Sequence, residues 1–183
     1  EFRRVLFRSV TRADQSVLMQ WDSRNPKHCT PWVSLGDAVF DATNPMLAEF
    51  EGDTILFFSA RMPDGNFDLF YSMLDQGFWQ SAIPLNRFIN TSRDEISPVY
   101  HDGFLYFASD GWPGFGGHDI YRSKFGISSS SNLPPVSLGP EVNTAFNEWG
   151  FRPYVDSSEN RVLCFWSSNA TADLTYQGAC CQH

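Results

Sequence analysis

The segments "VSLGDAVFDATN" (33–44) and "VSLGPEVNTAFN" (136–147) share Val, Ser, Leu, Gly, a later Val and a final Asn at a constant offset of 103 residues. A weaker copy lies between them. In "IPLNRFINTSRDE" (83–95), Leu85, Ile89 and Asp94 stand 50 residues after Leu35, Val39 and Asn44, and 53 before Leu138, Val142 and Asn147. A second set of segments follows each copy: "ILFFSARMPDGNFDLFYS" (55–72), "FLYFASDGWPGFGGHDIYRS" (104–123) and "VLCFWSSNATADLTYQ" (162–177). Here Leu56, Leu105 and Leu163 align, as do Phe58, Phe107 and Phe165, with Ala60, Ser109 and Ser167 closing each run. Self-similarity at a period near fifty residues restricts a chain to stacked supersecondary units, each too small to bury its own apolar face alone.

The middle copy shows what one unit contains. "ISPVYHD", "FLYFAS", "DIYRSKF" and "PPVSLG" read as four short strands separated by turn residues. Aromatic residues make up 16% of the chain, and 13 glycines and 11 prolines are spread along it, which disfavours long helices. "FLYFAS" is apolar on both faces, so its sheet must be covered on both sides. Radial stacking of twisted four-stranded sheets meets that demand and is the β-propeller, whose ring takes at least about four blades. An ordinary β-sandwich would supply short strands but not three aligned copies of the same turn chemistry. The expected fold is therefore all-β, a β-propeller of four-stranded antiparallel blades present as an incomplete sector of about three blades. Residues 10–43 would end a preceding blade, 44–94 and 95–147 would each form a blade, and 148–183 a partial one.

Residues 1–9, "EFRRVLFRS", are what the codons GAG TTC AGA CGT GTG CTC TTC CGA TCT encode, the end of a common sequencing-library adapter. They are expected to be an adapter artefact and are set aside from fold reasoning. On that expectation the true N-terminus, and any signal peptide with it, is not visible. The net charge of −8 argues against nucleic acid or an anionic membrane as the main partner, since either demands a basic patch. No apolar run approaches the length of a membrane span.

Several motifs occur in order: Ser109-Asp110-Gly111, the glycines Gly114, Gly116 and Gly117, Asp119-Ile120-Tyr121, Leu138-Gly139-Pro140 with Val142-Asn143, and Asn147-Glu148 with Gly150-Phe151. With them the chain resembles, over about 17–183, the WD40-like, Pro-Asp type β-propeller repeats of TolB and of bacteroidete OmpA-family outer-membrane-associated proteins. Ala60-Arg61 departs from the expected Ser-Asp, and Ser167-Ser168-Asn169 and Cys180-Cys181-Gln182-His183 also depart from that pattern. The resemblance implies a non-catalytic scaffold for protein–protein interaction, periplasmic or outer-membrane-associated, with partners in the bacterial cell envelope. It implies no enzyme activity, no cofactor, no membrane insertion of this segment, and peptidoglycan contact only through a domain not present here. The alternative is the propeller of a glycoside hydrolase or serine peptidase whose catalytic residues lie outside this fragment.

"GFGGHD" lacks the following helix that a phosphate-cradling loop must open, so its glycines are expected to reverse the chain through positive φ. "SDGW" (109–112) places Asp and Gly too early for the sialidase-type Asp box. Ser109, Asp110, Gly111, Gly114, Gly116, Gly117, Asp119, Asp68, Glu95 and Glu148 are taken as structural repeat residues, because an acid recurring in every unit suits a backbone cap better than catalysis. The four histidines (28, 101, 118 and 183) show no metal-ligand spacing, so no catalytic, cofactor or metal residue is assigned. Cys180 and Cys181 are adjacent, too close for a relaxed mutual disulfide, and Cys164 is expected in the core. Up-and-down connectivity brings the 110–119 loop and the 139–149 link to one end, where Trp112, Phe115, His118, Phe146 and Trp149 gather, either packed between blades or as a candidate partner-binding face.

Overall fold

A computed structural model describes the backbone of residues 5–12, 15–22, 25–31, 40–127, 133–156, 161–169 and 177–181, and the side chains of Leu18, 41–127, 133–154 and 164–169. The first Val-Ser-Leu-Gly copy (33–36) lies outside the described residues, as do the side chains of Cys29, Cys180 and Cys181. Strands β1 (Val5–Arg12), β2 (Gln15–Asp22) and β3 (Asn25–Pro31) form the first sheet. The second contains β4 (Phe40–Phe50), β5 (Asp53–Arg61) and β6 (Phe67–Asp75), with both β7 (Phe78–Trp79) and β8 (Ile83–Pro84) paired to β6. Next come β9 (Glu95–His101), β10 (Phe104–Ser109), β11 (Asp119–Lys124) and β12 (Val136–Ser137), and finally β13 (Glu148–Asp156), β14 (Arg161–Ser168) and β15 (Gln177–Cys181). Every pairing is antiparallel, and among the described residues there is no helix.

Local sequence explains the hairpins. Glu51-Gly52, Gln76-Gly77 and Asp102-Gly103 are two-residue loops in which both residues have positive φ, 47° and 81° at Asp102 and Gly103. That geometry matches the twist of the flanking strands and favours glycine at the second position.

The sheets stack face to face in chain order. Leu56 and Phe58 join Leu18, Ala42, Ala60 and Phe70 in the cluster between the first and second sheets, whereas Ile55 and Phe57 point the other way. Those two meet Leu105, Phe107, Tyr121 and Phe125 between the second and third sheets. Ala108, Ile120, Val142, Phe151, Cys164 and Trp166 fill the space between the third and fourth. β5 and β10 are thus buried on both faces, as the continuous apolar runs in their sequences require. Phe125 occupies the middle of the largest cluster, with ring centroids 4.9 Å from Phe57, 5.1 Å from Phe50, and 5.9 Å from both Tyr71 and Tyr100.

Backbone pairing corrects two of the repeat alignments. Ala42, Glu95 and Glu148 pair with Ala60, Ser109 and Ser168, and each ladder then breaks at a bulge. The residues two places on, Asn44, Ser97 and Gly150, all have positive φ (51°, 56° and 67°). Asn44 therefore matches Ser97 and Gly150 rather than Asp94 and Asn147. Ser168, not Ser167, matches Ser109, so Trp166 takes the place of Phe107 that residue identity gives to Phe165. Burial agrees, with Trp166 5% exposed and Phe165 43%. A one-residue slip in a strand exchanges its two faces, and two neighbouring aromatics conceal the slip in sequence.

Candidate functional site

The loop 110–118 and the link 138–147 come together at one end of the sheets. Gly117 N–H donates to the Phe146 carbonyl (2.7 Å), Glu148 N–H to the His118 carbonyl (2.7 Å), and His118 N–H to Asn147 Oδ1 (2.9 Å). The glycines make this contact possible, though not through positive φ as expected. None of Gly111, Gly114, Gly116 and Gly117 lies in the left-handed region; each instead has no room for a Cβ. At Gly111 the added carbon would strike the Thr91 side chain, and at Gly114 the Asp119 carboxylate. At Gly116 it would strike the carbonyls of Phe146 and Thr144, and at Gly117 the Asn147 amide. Close approach of two backbones is the reason for glycine here.

Each link carries the pattern Asn-Thr-x-x-Asp/Asn-Glu, at 90–95 and 143–148. Asn90 Oδ1 accepts the Leu69 N–H (2.9 Å) and its Nδ2 donates to the Leu69 carbonyl (3.0 Å); Asn143 repeats both bonds on Ile120 (2.6 and 3.0 Å). Asp94 Oδ1 accepts the Phe67 N–H (2.8 Å), as Asn147 Oδ1 does that of His118. The buried Glu95 accepts Thr91 N–H and Thr91 Oγ1–H (both 2.8 Å) and Ser109 Oγ–H (2.6 Å). Glu148 does the same with Thr144 (3.0 and 2.6 Å) and Ser168 (2.8 Å). Side chains of one link therefore finish the hydrogen bonding of the preceding sheet and anchor the following one. Reading Glu95 and Glu148 as repeat residues passes over Asn90 and Asn143, and Thr91 and Thr144. Their signal was available as "NTSRDE" against "NTAFNE", an identity at three of six positions.

The first joint is built differently. Ala42 and Ala60 replace both the Glu and the Ser, and Arg61 Nε donates to Asp41 Oδ2 (2.9 Å) where Asp110 Oδ1 and Asn169 Oδ1 elsewhere accept the N–H of Asp94 and Asn147 (2.9 and 2.8 Å). The Ala60-Arg61 departure thus has a physical account: acid and hydroxyl are lost together, and an ion pair replaces the amide bond.

Of the aromatics assigned to this end, Trp112 packs against the cluster between the second and third sheets, and Trp149 against that between the third and fourth. Phe115 and Phe146 remain 50% and 48% exposed. His118 Nδ1 lies 3.3 Å from Asn147 Oδ1 and its Nε2 3.9 Å from Asp94 Oδ2. Asp119 Oδ2 accepts the N–H groups of Phe115 (2.8 Å) and Gly116 (3.2 Å), and burial followed by the nearby Asp119 charge pushes the Tyr121 hydroxyl up to about 12. Among the described residues no three His, Cys, Asp or Glu side chains gather to hold a metal.

Carboxylates here fall into two kinds. Glu95 is closed to solvent; burial, opposed by its hydrogen bonds and reinforced by the Asp68 charge, pushes it up to about 7. Asp68 is pushed up to about 6 by burial and then by Asp64. Asp94 and Asp110 are instead part-exposed, tied by the Asp94 N–H to Asp110 Oδ1 bond, with Arg93 3.6 Å from Asp110.

No protein family matches the chain by sequence, and no curated protein does. Two solved structures share its fold. An endo-arabinase from Bacteroides thetaiotaomicron aligns over 96% of this chain and 69% of its own, at a TM-score of 0.57 and 17% identity. An alpha-L-arabinofuranosidase from Lactobacillus brevis aligns over 88% and 57%, at 0.56 and 8%. The chain is an all-β, propeller-type protein. The TolB-type repeat family finds no support beyond the propeller itself. The expected non-catalytic scaffold, and with it the assignment of no enzyme activity, is corrected: the structures that share the fold are an endo-arabinase and an alpha-L-arabinofuranosidase, and they give the scaffold reading no support. The physical reason is that blade-repeat residues serve the fold, which enzymes and scaffolds share, so they cannot distinguish the two.

Proposed function

We propose that the chain is the propeller portion of a glycoside hydrolase acting on neutral, arabinose-containing polysaccharide, with Asp94 and Asp110 as the part-exposed carboxylate pair at the joint that serves the chemistry. The observation carrying this is the fold likeness to an endo-arabinase over 96% of the chain. Glycoside hydrolysis needs two carboxyl groups flanking the scissile bond, one to protonate the leaving oxygen and one to act as base or nucleophile. Asp94 and Asp110 supply two from adjoining elements, held together by Asp94 N–H to Asp110 Oδ1 (2.9 Å) and Asp110 N–H to the Asp94 carbonyl (3.3 Å). Glu95 and Glu148 do not meet the requirement because each is fully enclosed and out of reach of a substrate. The net negative charge disfavours uronate-rich or sulfated polymers.

The test is reducing-end release from arabinan by the full-length protein, alongside its D94N and D110N variants. Each substitution is expected to lower kcat/KM by about 10²-fold or more while the melting temperature shows the fold intact. Full activity in both variants would remove these two residues from the chemistry. Neither cleavage nor binding across arabinan, xylan and glucan would overturn the hydrolase assignment.

A further inference from the structure

Phe115 and Phe146 are the exposed large apolar side chains of the loop 110–118 and the link 138–147, and among the described residues neither belongs to a core cluster. Two phenyl rings left in water forgo the burial that Trp112 and Trp149 obtain at the same end. Nor do the rings sit on slack chain. Phe115 N–H donates to Asp119 Oδ2 (2.8 Å), and Phe146 N–H to Thr144 Oγ1 (3.2 Å), whose own hydrogen goes to Glu148 Oε1 (2.6 Å). Between the rings, Gly116 lies against the Phe146 carbonyl and Gly117 N–H donates to it (2.7 Å). Both rings are thus carried on backbones that touch, and little ordering is left to be done when something binds them.

The same contact leads to the carboxylates. His118, one residue past Gly117, is fixed through its N–H to Asn147 Oδ1 (2.9 Å), and its ring places Nε2 3.9 Å from Asp94 Oδ2. That oxygen accepts no hydrogen bond among the described residues, while Asp94 Oδ1 is taken by the Phe67 N–H (2.8 Å). Beside it stand Arg93 and Asp110, 3.6 Å apart. Fixed aromatic faces next to a carboxylate oxygen with acceptor capacity to spare match a sugar ring, which shows C–H groups on its faces and hydroxyls around its rim. The electron-rich aromatic face takes the former and the carboxylate the latter. A protein partner fits less well, because a standard interface buries about 800 Å² on each side, whereas the exposed apolar side chains of these two segments are two rings with charged groups beside them. One arginine against two carboxylates disfavours an anionic ligand.

We propose that Phe115 and Phe146 form a sugar-stacking platform, a binding subsite for a neutral polysaccharide chain that passes Asp94. The choice of arabinan as its ligand rests on the hydrolase reading; the position of the platform does not. Phe146 belongs to the link after the third sheet and Asp94 to the link before it. Stacked sheets lie about 10 Å apart, so a ligand that touches both is a chain of sugars rather than a single one.

The experiment is affinity electrophoresis of the full-length protein in gels containing linear arabinan, xylan or glucan, in wild-type and D94N backgrounds. F115A and F146A are expected to raise the apparent Kd by up to about tenfold. F115W should keep binding and F146L, apolar but not aromatic, should lose it. F78A removes an exposed ring on β7 and should leave binding unchanged. A short arabino-oligosaccharide should compete far better than free arabinose. Unchanged binding in F115A and F146A, or an equal loss in F78A, would overturn the proposal. The two readings part cleanly: cleavage of arabinan by the wild type with unchanged binding in F115A and F146A removes the platform and leaves the hydrolase, whereas weakened binding in those variants with no cleavage by the wild type does the reverse. A wild type retarded by none of the three glycans removes the platform and leaves the two rings to a protein partner.

Discussion

The glycine loop shows how much a single missing carbon can decide. Gly116 lies against two backbone carbonyls of the neighbouring link, and neither can swing aside as a flexible side chain would. Gly116→Ala is therefore expected to destabilise the chain by about 1–3 kcal/mol, the usual cost of overpacking, as measured by urea denaturation. Loss of less than a few tenths would mean the loop can lift off the link at little cost. Sequence alone located these glycines but assigned them the wrong property. A glycine needed for φ and one needed for close approach look alike until the partner backbone is known. Gly103, by contrast, was legible as a turn residue because it separates the strand-like runs "ISPVYHD" and "FLYFAS".

At the scale of strands and links, the Glu95–Ser109 and Glu148–Ser168 pairs act as units. A buried acid without its hydroxyl, or the reverse, leaves a polar group unpaired, which costs about 1–3 kcal/mol. The Ala42–Ala60 pair occupies the same place with neither group. A double-mutant cycle over E95A and S109A is accordingly expected to give a coupling energy of about 1–3 kcal/mol, the double variant costing less than the sum of the singles. Additive losses would show that the two residues act separately. Strand content and two-sided burial were readable from "ILFFSA" and "FLYFAS". Exact register was not. The bulge residues are Asn44, Ser97 and Gly150, three different residues that share a backbone conformation rather than a side chain, and Phe165-Trp166 offered two aromatics for one inward position. The carboxylate roles were hidden for a further reason: exposure separates Asp94 from Glu95 although they are adjacent, and exposure is set by the fold.

Across the whole molecule, the sheets are stacked in series and each central strand is enclosed by its neighbours. Amide hydrogen exchange should therefore be slowest in β5 and β10 and fastest in the short outer strands β7, β8 and β12, whose exposed residues include Phe78, Ile83 and Val136. Uniform protection along all strands would contradict a structure held mainly by the clusters between sheets. Those clusters are not the only ties: Asn90 and Asn143 close the ladders of sheets that end before them in the chain. The sheet and the inheritable module are thus out of phase. A segment moved by recombination at the sheet edges would leave behind both the asparagine that completes it and the threonine that caps its glutamate. Exchangeable cassettes in this chain run from one Asn-Thr pair to the next, so that acid and serine always travel together.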